Sequence, residues 1–299
     1  MKVTASANAN IALVKYWGKR NEQLILPQNS SISMTCDGLR TVTTVEFSDN
    51  YKKDTVVIND EELKKDEKNI IGHLDRIRKL ARIKSKARIV SETNFPVAAG
   101  LASSASGLAA LTLAATRSAG ITMDEKELTI LTRMGSGSAA RSVCEGFAIW
   151  HRGNKEDGSD SFAETIAGKN HWPEFRMITT IVTESKKKVS SRAGMAQTVK
   201  TSPYYNGWLD SVDDDLTKVA DGIKRKDFQT VGLAAEANCL KMHALMLTTK
   251  PAIIYWHPAT VEIIRAVTQW REEGLPCYFT IDAGPNVKVI CASMNEKEI

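Results

Sequence analysis

The sequence predicts an α+β fold. Strand-like runs come in groups and do not alternate strictly with helical patterns, which favours α+β over a doubly wound parallel sheet. The 299 residues are 42% hydrophobic and 25% charged, an ordinary globular composition with enough apolar surface for a core. We therefore expect an ordered protein made of one large domain or two modest ones.

The first part of the chain has short strand patterns followed by helical ones. Clustered β-branched residues between polar turns indicate the strands. A stretch rich in Ala and Leu after Gly100 favours helix, and Thr122 or Asp124 is suited to cap the next helix. The predicted strands are 3–5, 41–47, 55–58 and 87–91, and the predicted helices are 66–82, 105–119 and 124–134.

The second part begins after a polar, glycine-containing stretch, 151–160, that indicates an exposed loop. A domain boundary falls between 170 and 185, and we divide the chain into lobes 1–180 and 181–299. The chain stops in what resembles the first turn of a helix, so we expect a C-terminal piece to be missing after Ile299. The predicted strands are 176–183, 277–281 and 287–291, and the predicted helices are 203–225, 227–247 and 259–273.

Charge and hydropathy exclude several classes of protein. The net charge is +5, but the densest basic run is only residues 186–188, so we expect no nucleic-acid partner. No segment approaches the ~20 apolar residues of a membrane span, and the N-terminus lacks a signal-peptide pattern. Five scattered cysteines without a C-x-x-C pair indicate a reducing cytoplasm.

The strongest local signal is the small-residue run Pro96–Gly107, which follows a strand and opens a helix. Gly100 lets backbone amides approach an anion, and a helix N-terminus adds free N–H groups and a positive dipole end. Its serines offer hydroxyls to phosphate oxygens or Mg²⁺. The run is not a Walker A loop, since no lysine follows the second glycine. The alternative is a small-residue helix start that permits close packing.

Two further motifs carry cations beside hydroxyl or aromatic groups. In Gly135–Ser142, Arg141 is suited to grip a carboxylate or phosphate with two hydrogen bonds, although a flexible turn with a surface arginine has the same pattern. In Lys15–Arg20, basic residues flank two aromatics. The alternative there is a strand end whose long cationic side chains lie along apolar surface.

The last two signals are a hydroxyl-rich segment and a carboxylate. Ser190–Met195 again combines hydroxyls with an arginine, in what we predict to be a turn. Asp282 stands at a strand-to-turn junction before Gly284, where a carboxylate is either a general base or an Asx-turn residue. The five histidines have no spacing typical of metal ligands.

Together these motifs resemble the mevalonate diphosphate decarboxylases, especially the bacterial ones, within the GHMP superfamily of small-molecule kinases. The segments are NIALVKYWGKR, FPVAAGLASSASG, RMGSGSAARS, SSRAGM and YFTIDAGPNVKV, running from Asn10 to Val289. The glycine-serine loop alone indicates only the superfamily, whereas Lys-Tyr-Trp-Gly-Lys and Asp-Ala-Gly-Pro-Asn are more specific. Family members usually continue past the equivalent of Ile299.

The resemblance implies a two-lobed GHMP-kinase-like fold with a deep cleft between the lobes, and a homodimer. It implies ATP- and Mg²⁺-dependent decarboxylation of (R)-mevalonate 5-diphosphate to isopentenyl diphosphate, with ADP, phosphate and CO₂ released. The alternatives are a phosphomevalonate decarboxylase, a mevalonate 3-kinase-like enzyme or a non-catalytic sensor. The joint presence of Lys15, Arg141 and Asp282 argues against the kinase and the sensor.

The resemblance also implies a role for each motif. Asp282 takes or orients the proton of the C3 hydroxyl, Lys15 keeps Asp282 ionised, and Arg141 holds the substrate carboxylate. Ser103 or Ser104 lies nearest Mg²⁺. The other expected substrate-binding residues are Tyr16, Trp17, Lys19, Ser136, Ser138, Ser191, Arg192 and Met195, of which Tyr16, Lys19, Ser191 and Arg192 receive the diphosphate. The expected ATP-binding residues are Gly100, Leu101, Ala102, Ser103, Ser104, Ala105 and Ser106.

Overall fold

The computed structural model describes residues 1–63, 67–95, 103–185 and 187–299 and has the predicted α+β architecture. The strands are β1 (Lys2–Val14), β2 (Lys19–Asn21), β3 (Leu26–Pro27), β4 (Ser31–Ser48), β5 (Thr55–Ile58), β6 (Glu61–Glu62), β7 (Lys86–Thr93), β8 (Phe147–Trp150), β9 (Ala163–Ala167), β10 (Phe175–Thr179), β11 (Cys277–Ile281) and β12 (Val287–Ala292). The helices are α1 (Glu67–Ala81), α2 (Ser103–Ser118), α3 (Glu125–Arg133), α4 (Ser191–Thr201), α5 (Tyr205–Arg225), α6 (Phe228–Leu247) and α7 (Pro258–Glu272).

The larger sheet is organised around β4. Its strand order is β6-β5-β7-β4-β8-β9, with β1 also paired to β4. β5 and β7 run parallel, whereas β4 pairs antiparallel with β1, β7 and β8. The alanine-rich helix α2 packs on β1 and β4, because its small side chains allow close approach to the sheet. This contact brings the start of α2 to the same side of the sheet as the end of β1.

A smaller antiparallel sheet, β10-β12-β11, lies in the second part of the molecule. β10 pairs with β12 from Phe175 opposite Ala292 to Thr179 opposite Lys288. α6 and α7 pack on β11, and α6 also contacts β1 of the larger sheet. α6 therefore connects the two sheets, while the lobe boundary at 180 and 181 stays a prediction. In the part of the chain that the structure describes, every helix is too short or too polar to cross a membrane.

Two strands are much longer than the sequence predicts. β1 has 13 residues where three were expected, and β4 has 18 where seven were expected. Asn8 and Asn10 interrupt the apolar pattern of β1, but their backbones still pair with Arg40 and Thr35 of β4. The prediction failed because long-range pairing, which a local pattern does not reveal, extends both strands.

The local capping signals have a mixed outcome. The predicted cap Asp124 is confirmed: it accepts the Glu127 N–H at 2.8 Å, and the Glu127 side chain accepts the Asp124 N–H at 3.2 Å. The predicted turn at 190–195 is wrong, because Ser190 caps α4 by accepting the Ala193 N–H at 3.2 Å. Serine favours helix N-caps as well as turns, so its presence alone left the two outcomes open.

We expect Gly146→Ala to destabilise the fold by about 2–4 kcal/mol. Gly146 has a φ of 63°, and an added Cβ would lie 2.3 Å from the backbone oxygen of Ala167. Gly38→Ala is the control, since no atom lies within 4 Å of its added Cβ, and its effect should stay within about 0.5 kcal/mol. Urea unfolding measures both, and equal midpoints for the two variants would contradict the argument.

Candidate active site

A cleft of about 630 Å³ opens beside the end of β1. One end is cationic and polar, with Lys15, Arg141 and Asp282 in its wall. The other end is apolar and lies against α1, α2, β5 and β7. Its apolar lining residues are Val56, Ile58, Leu63, Ile70, Ile89, Leu108 and Leu111. The cleft thus suits a ligand, or a pair of ligands, with one anionic part and one flat or apolar part.

Lys15 and Asp282 form an ion pair at the polar end. Lys15 Nζ lies 2.7 Å from Asp282 Oδ1 and also donates to the Ala12 carbonyl at 2.8 Å. The Lys15 side chain is 2% exposed, and that of Asp282 is 23% exposed. Lys288 Nζ stands 3.9 Å from the second carboxylate oxygen. Asp282 therefore keeps one accessible face toward the cleft while two buried lysines hold its other side.

The charges around Asp282 determine its ionisation. Burial acts to raise the pKa of its carboxyl, but Lys15, Lys288 and Arg141 outweigh this effect and hold the pKa below its ordinary value. Asp282 is therefore ionised at neutral pH. The stabilisation that this carboxylate gives the fold is complete above its unfolded pKa and is lost as the pH falls through the lowered folded value.

Arg141 lies in a 3₁₀ segment, Gly137–Val143, and is almost fully buried. Its Nε donates to Asn10 Oδ1 at 3.3 Å, and its Nη1 donates to the Ser31 hydroxyl. Burial lowers the pKa of Arg141 to about 10, so the guanidinium is still charged at neutral pH. Fixed bonds on one side leave the planar group oriented where it lines the cleft, in position to receive a carboxylate.

Ser136 and Ser138 line the cleft beside Arg141. They reach it because the segment turns tightly at Gly137, where an added Cβ would lie 2.8 Å from the Trp150 ring and 2.9 Å from the Tyr16 ring. Only a glycine fits between these rings. The two hydroxyls thus extend the polar wall that Arg141 begins.

The four residues predicted to receive a diphosphate all line the same cleft. Arg192 Nη1 donates to Asn69 Oδ1 on α1 at 2.9 Å, and Lys19 Nζ lies 2.5 Å from Glu22. Ser191 accepts a hydrogen bond from Lys187 at 2.8 Å. The Tyr16 hydroxyl is buried without a partner among the described residues, and burial raises its pKa. A buried hydroxyl of this kind gains most from an anionic ligand.

Trp17 and Met195 are the apolar members of the predicted substrate set, and both are buried in the cleft wall. The Trp17 carbonyl accepts the Tyr205 hydroxyl at 2.8 Å, which anchors the segment after β1 to α5. Gly194 lies against the Trp17 ring, where an added Cβ would be 3.4 Å away. These residues form an apolar part of the wall of the polar end.

The predicted ATP-binding residues separate into three groups. Ser103 and Ser104 begin α2 and line the cleft. Ala105 and Ser106 are fully buried instead, and the Ser106 hydroxyl is 2.7 Å from that of Thr41, so it faces β4. The remaining three predictions, Gly100, Leu101 and Ala102, lie outside the described residues.

Sequence reasoning missed two lysines at this site. Lys187 belongs to the densest basic run, 186–188, for which the sequence alone predicted no site role, yet its Nζ donates to the Ala283 carbonyl at 2.7 Å. Burial and the nearby Lys288 lower the pKa of Lys187 despite the opposing effect of Asp282. Lys288 is fully buried in β12. A lone lysine within the apolar run from Val287 to Ile290 was the available signal, because buried lysines need a counter-charge.

One ionised carboxylate surrounded by buried cations, next to a helix start that presents hydroxyls, defines an enzyme that acts on a small, multiply anionic molecule. Residues 7–163 match the model of the diphosphomevalonate decarboxylase-like N-terminal domain. Residues 177–299 match that of the mevalonate 5-diphosphate decarboxylase C-terminal domain. The chain belongs to the diphosphomevalonate decarboxylase family, which confirms the resemblance of its motifs.

Solved structures and curated relatives agree with this assignment. A structure described as MDDEF in complex with MVAPP, AMPPCP and magnesium is 44% identical, with a TM-score of 0.94, covering 100% of this chain and 91% of that one. The mevalonate diphosphate decarboxylase from Staphylococcus aureus is 40% identical, with a TM-score of 0.93 and coverage of 100% and 90%. The diphosphomevalonate decarboxylase of Ganoderma lucidum is 37% identical over 100% of this chain and 80% of its own length. The predicted fold class is confirmed.

We expect Lys288→Met to raise the pKa of Asp282. The substitution removes a buried cation 3.9 Å from Oδ2. The remaining cations then oppose less fully the increase in pKa that burial of the carboxylate causes. A ¹³C NMR titration of the Asp282 carboxyl measures the change. Lys224→Met is the control, because Lys224 is an exposed lysine paired with Asp221. An unchanged Asp282 titration in Lys288→Met would show that Lys288 does not help to keep the carboxylate ionised.

Proposed function

We propose that the chain catalyses the ATP-dependent decarboxylation of (R)-mevalonate 5-diphosphate to isopentenyl diphosphate, with release of ADP, phosphate and CO₂. The observation that carries the proposal is the Lys15–Asp282 ion pair, which shares one cleft with the buried Arg141. Family membership supports it, as does the relative solved with MVAPP, AMPPCP and magnesium.

The substrate lies with its carboxylate on Arg141 and its reacting hydroxyl on Asp282. Both side chains line the polar end of the cleft, and Ser136 and Ser138 add hydrogen-bonding groups beside the carboxylate. The diphosphate extends toward the separate group formed by Tyr16, Lys19, Ser191 and Arg192. In this arrangement the carboxylate and the diphosphate of the substrate contact different cationic side chains. These two contacts fix the orientation of the C3 carbon that lies between the two anionic groups.

The first step transfers the γ-phosphoryl group of ATP to the C3 hydroxyl. Asp282 accepts the hydroxyl proton, the C3 oxygen forms a bond to the γ-phosphorus, and the bond from that phosphorus to ADP breaks. Lys15 stays against the carboxylate and offsets negative charge that develops on the phosphoryl group. Lys187, held by the Ala283 carbonyl beside Asp282, adds a second cation on the same side.

The second step removes the phosphate and the carboxyl group. The tertiary C3–O bond breaks, and its electron pair leaves with the phosphate. The bond to the carboxylate then breaks, and its electron pair forms the C=C bond while CO₂ departs. Arg141 aligns that carboxylate from the 3₁₀ segment, and the buried walls at Trp17 and Met195 limit access of water to the electron-poor carbon.

ATP and Mg²⁺ fit the other end of the cleft. Ser103 and Ser104 place hydroxyls at the start of α2, where a helix N-terminus favours phosphate, and the apolar chamber beyond them suits a purine. The described residues contain no cluster of three His, Cys, Asp or Glu side chains, so Mg²⁺ would rest on phosphate, water and these hydroxyls. Bound there, it would neutralise phosphate charge.

The protein is a cytoplasmic homodimer in this proposal, and α6 supplies its interface. Leu233, Leu240 and Leu247 are 47%, 40% and 43% exposed, and Ala237 and Ala244 are exposed between them. This apolar stripe runs along nearly the whole helix. Its order Leu-Ala-Leu-Ala-Leu is the same in both directions about Leu240, so two copies can pack antiparallel across a two-fold axis.

The charged residues of α6 lie beside this apolar stripe and not on it. Glu236 pairs with Arg271 of α7, and Lys241 pairs with Asp215 of α5. Both charges are thereby used within the chain, beside the stripe rather than on it. An uncharged apolar face of this length is typical of a surface that another protein covers. The five thiols, which are free in the described structure, support the proposal of a reducing compartment.

We expect ADP and CO₂ to appear in equal amounts when the protein is mixed with ATP, Mg²⁺ and mevalonate 5-diphosphate. Asp282→Asn keeps the shape of the side chain but removes the base, so kcat should fall about 10²–10⁴-fold while substrate binding changes little. A coupled ADP assay and CO₂ trapping measure both products. ADP without CO₂ would indicate a kinase, and preference for the 5-phosphate would indicate the phosphomevalonate enzyme.

We expect Leu240→Glu to convert the dimer to monomer, because it places two carboxylates together at the two-fold axis. Light scattering after size-exclusion chromatography measures the mass in solution. Leu80→Glu is the control, since Leu80 is an exposed leucine of α1 and should leave the dimer intact. A monomeric wild type, or a Leu240→Glu dimer, would exclude α6 as the interface.

A further inference from the structure

The backbone of Lys15 lies just beyond the sheet that carries it. The last β1–β4 pair joins Val14 to Ile32, so the N–H and C=O of Lys15 need partners outside the strand pairing. Two buried asparagines supply them. Lys15 N–H donates to Asn238 Oδ1 at 2.8 Å, and Asn29 Nδ2 donates to the Lys15 carbonyl at 2.8 Å. Asn238 is 0% exposed and Asn29 is 2% exposed.

The orientation of Asn238 is fixed from behind. Its Nδ2 donates to Asp215 Oδ2 at 2.8 Å, and Asp215 also accepts from Lys241 Nζ at 2.8 and 3.0 Å. An ionised carboxylate accepts hydrogen bonds and donates none. Asp215 therefore requires the NH₂ group of Asn238, and this leaves Oδ1 to face the Lys15 N–H. The buried Asp215 carboxylate, paired with the partly exposed Lys241, thus selects one of the two amide orientations.

The neighbouring residue of α6 bonds to the backbone of the residue that precedes Asp282. Cys239 Sγ accepts the Ile281 N–H at 3.0 Å and donates to the Ile281 carbonyl at 3.4 Å, directly before Asp282. Consecutive α6 residues thus bond to the backbones of Lys15 and Ile281. Their spacing on one helix turn sets the separation of the strands that carry Lys15 and Asp282.

We propose that Asn238 and Asn29 are positioning residues, which hold the Lys15 peptide so that its ammonium group meets Asp282. The orientation of Asn238 depends on Asp215. Cys239 holds the backbone that precedes Asp282, the other member of the Lys15–Asp282 ion pair. None of these residues lines the cleft, so each acts through Lys15 or Asp282. The inference rests on the proposed decarboxylase function for its kinetic test, but its NMR test does not.

Exchanging the Asn238 amide and the Asp215 carboxylate between α6 and α5 tests the role of Asn238. Asn238→Asp sets two carboxylates within hydrogen-bonding distance, so the Lys15 peptide should shift, and kcat should fall about 100-fold with little change in KM. Asp215→Asn alone keeps an acceptor for Asn238 but no longer enforces its orientation, so kcat should fall, although less than in Asn238→Asp. In the double variant, the amide introduced on α5 would donate to the carboxylate introduced on α6, whose second oxygen again accepts the Lys15 N–H. We expect kcat to return to within about fivefold of wild type.

Val231→Ala is the matched control, because Val231 is a fully buried residue of α6 that makes no bond to Lys15. It should lower the melting temperature without a comparable loss of kcat. If Asn238→Asp and Val231→Ala reduce kcat in proportion to their melting temperatures, the role of Asn238 is structural and the proposal is wrong. Failure of the double variant to recover activity would also overturn it.

Asn29→Ala provides a test that needs no catalysis and introduces no charge. Loss of the bond to the Lys15 carbonyl should let the ammonium group move from Asp282, and the pKa of Asp282 should rise in a ¹³C NMR titration. The remaining cations near that carboxylate are Lys187, Lys288 and Arg141, which stay in place. An Asp282 titration identical to wild type would contradict the positioning role, even if the chain proved to catalyse a different reaction.

Discussion

The ion pair between Lys15 and Asp282 is the interaction on which the rest of the structure depends. It joins residues 267 positions apart and requires that the end of β1 and the end of β11 meet. A lysine this deeply buried is costly unless a carboxylate and fixed hydrogen bonds accompany it. The two sheets, helix α6 that contacts both of them, and the two buried asparagines all help to satisfy this requirement. The same requirement places the Asp282 carboxylate in the wall of the cleft at its polar end.

The charge balance at the site explains the class of molecule that it binds. Lys15, Lys187, Lys288 and Arg141 surround a single carboxylate, so the polar end of the cleft has excess positive charge. A multiply anionic ligand compensates this excess and also keeps the cations together. The site is therefore complementary to a substrate with a carboxylate and a transferring phosphoryl group. The Asp282 carboxylate stays ionised because the cations around it hold its pKa below the ordinary value.

α6 contacts both sheets, and each of its faces makes a different kind of contact. Asn238 and Cys239 bond to the backbones of Lys15 and Ile281, while Glu236 and Lys241 form ion pairs with α7 and α5. The remaining face is apolar and exposed. A helix that is apolar nearly all round is stable only when most of it is covered. This accounts for its contacts with both sheets, and it is the reason that we propose the exposed face as a dimer interface.

The sequence by itself determined the α+β class, most helices and several of the residues that line the polar end of the cleft. Capping at Asp124 and the helical periods are local properties, so a pattern reveals them, whereas the roles expected of Lys15, Arg141 and Asp282 came from the resemblance of their motifs to a family. Only the tertiary structure decided the full lengths of β1 and β4, the burial of Ser106 against Thr41 and the presence of Lys187 and Lys288 at the site. These depend on partners distant in sequence. The sequence does not reveal whether a lysine is solvated or buried, because only the folded chain brings its counter-charge within reach.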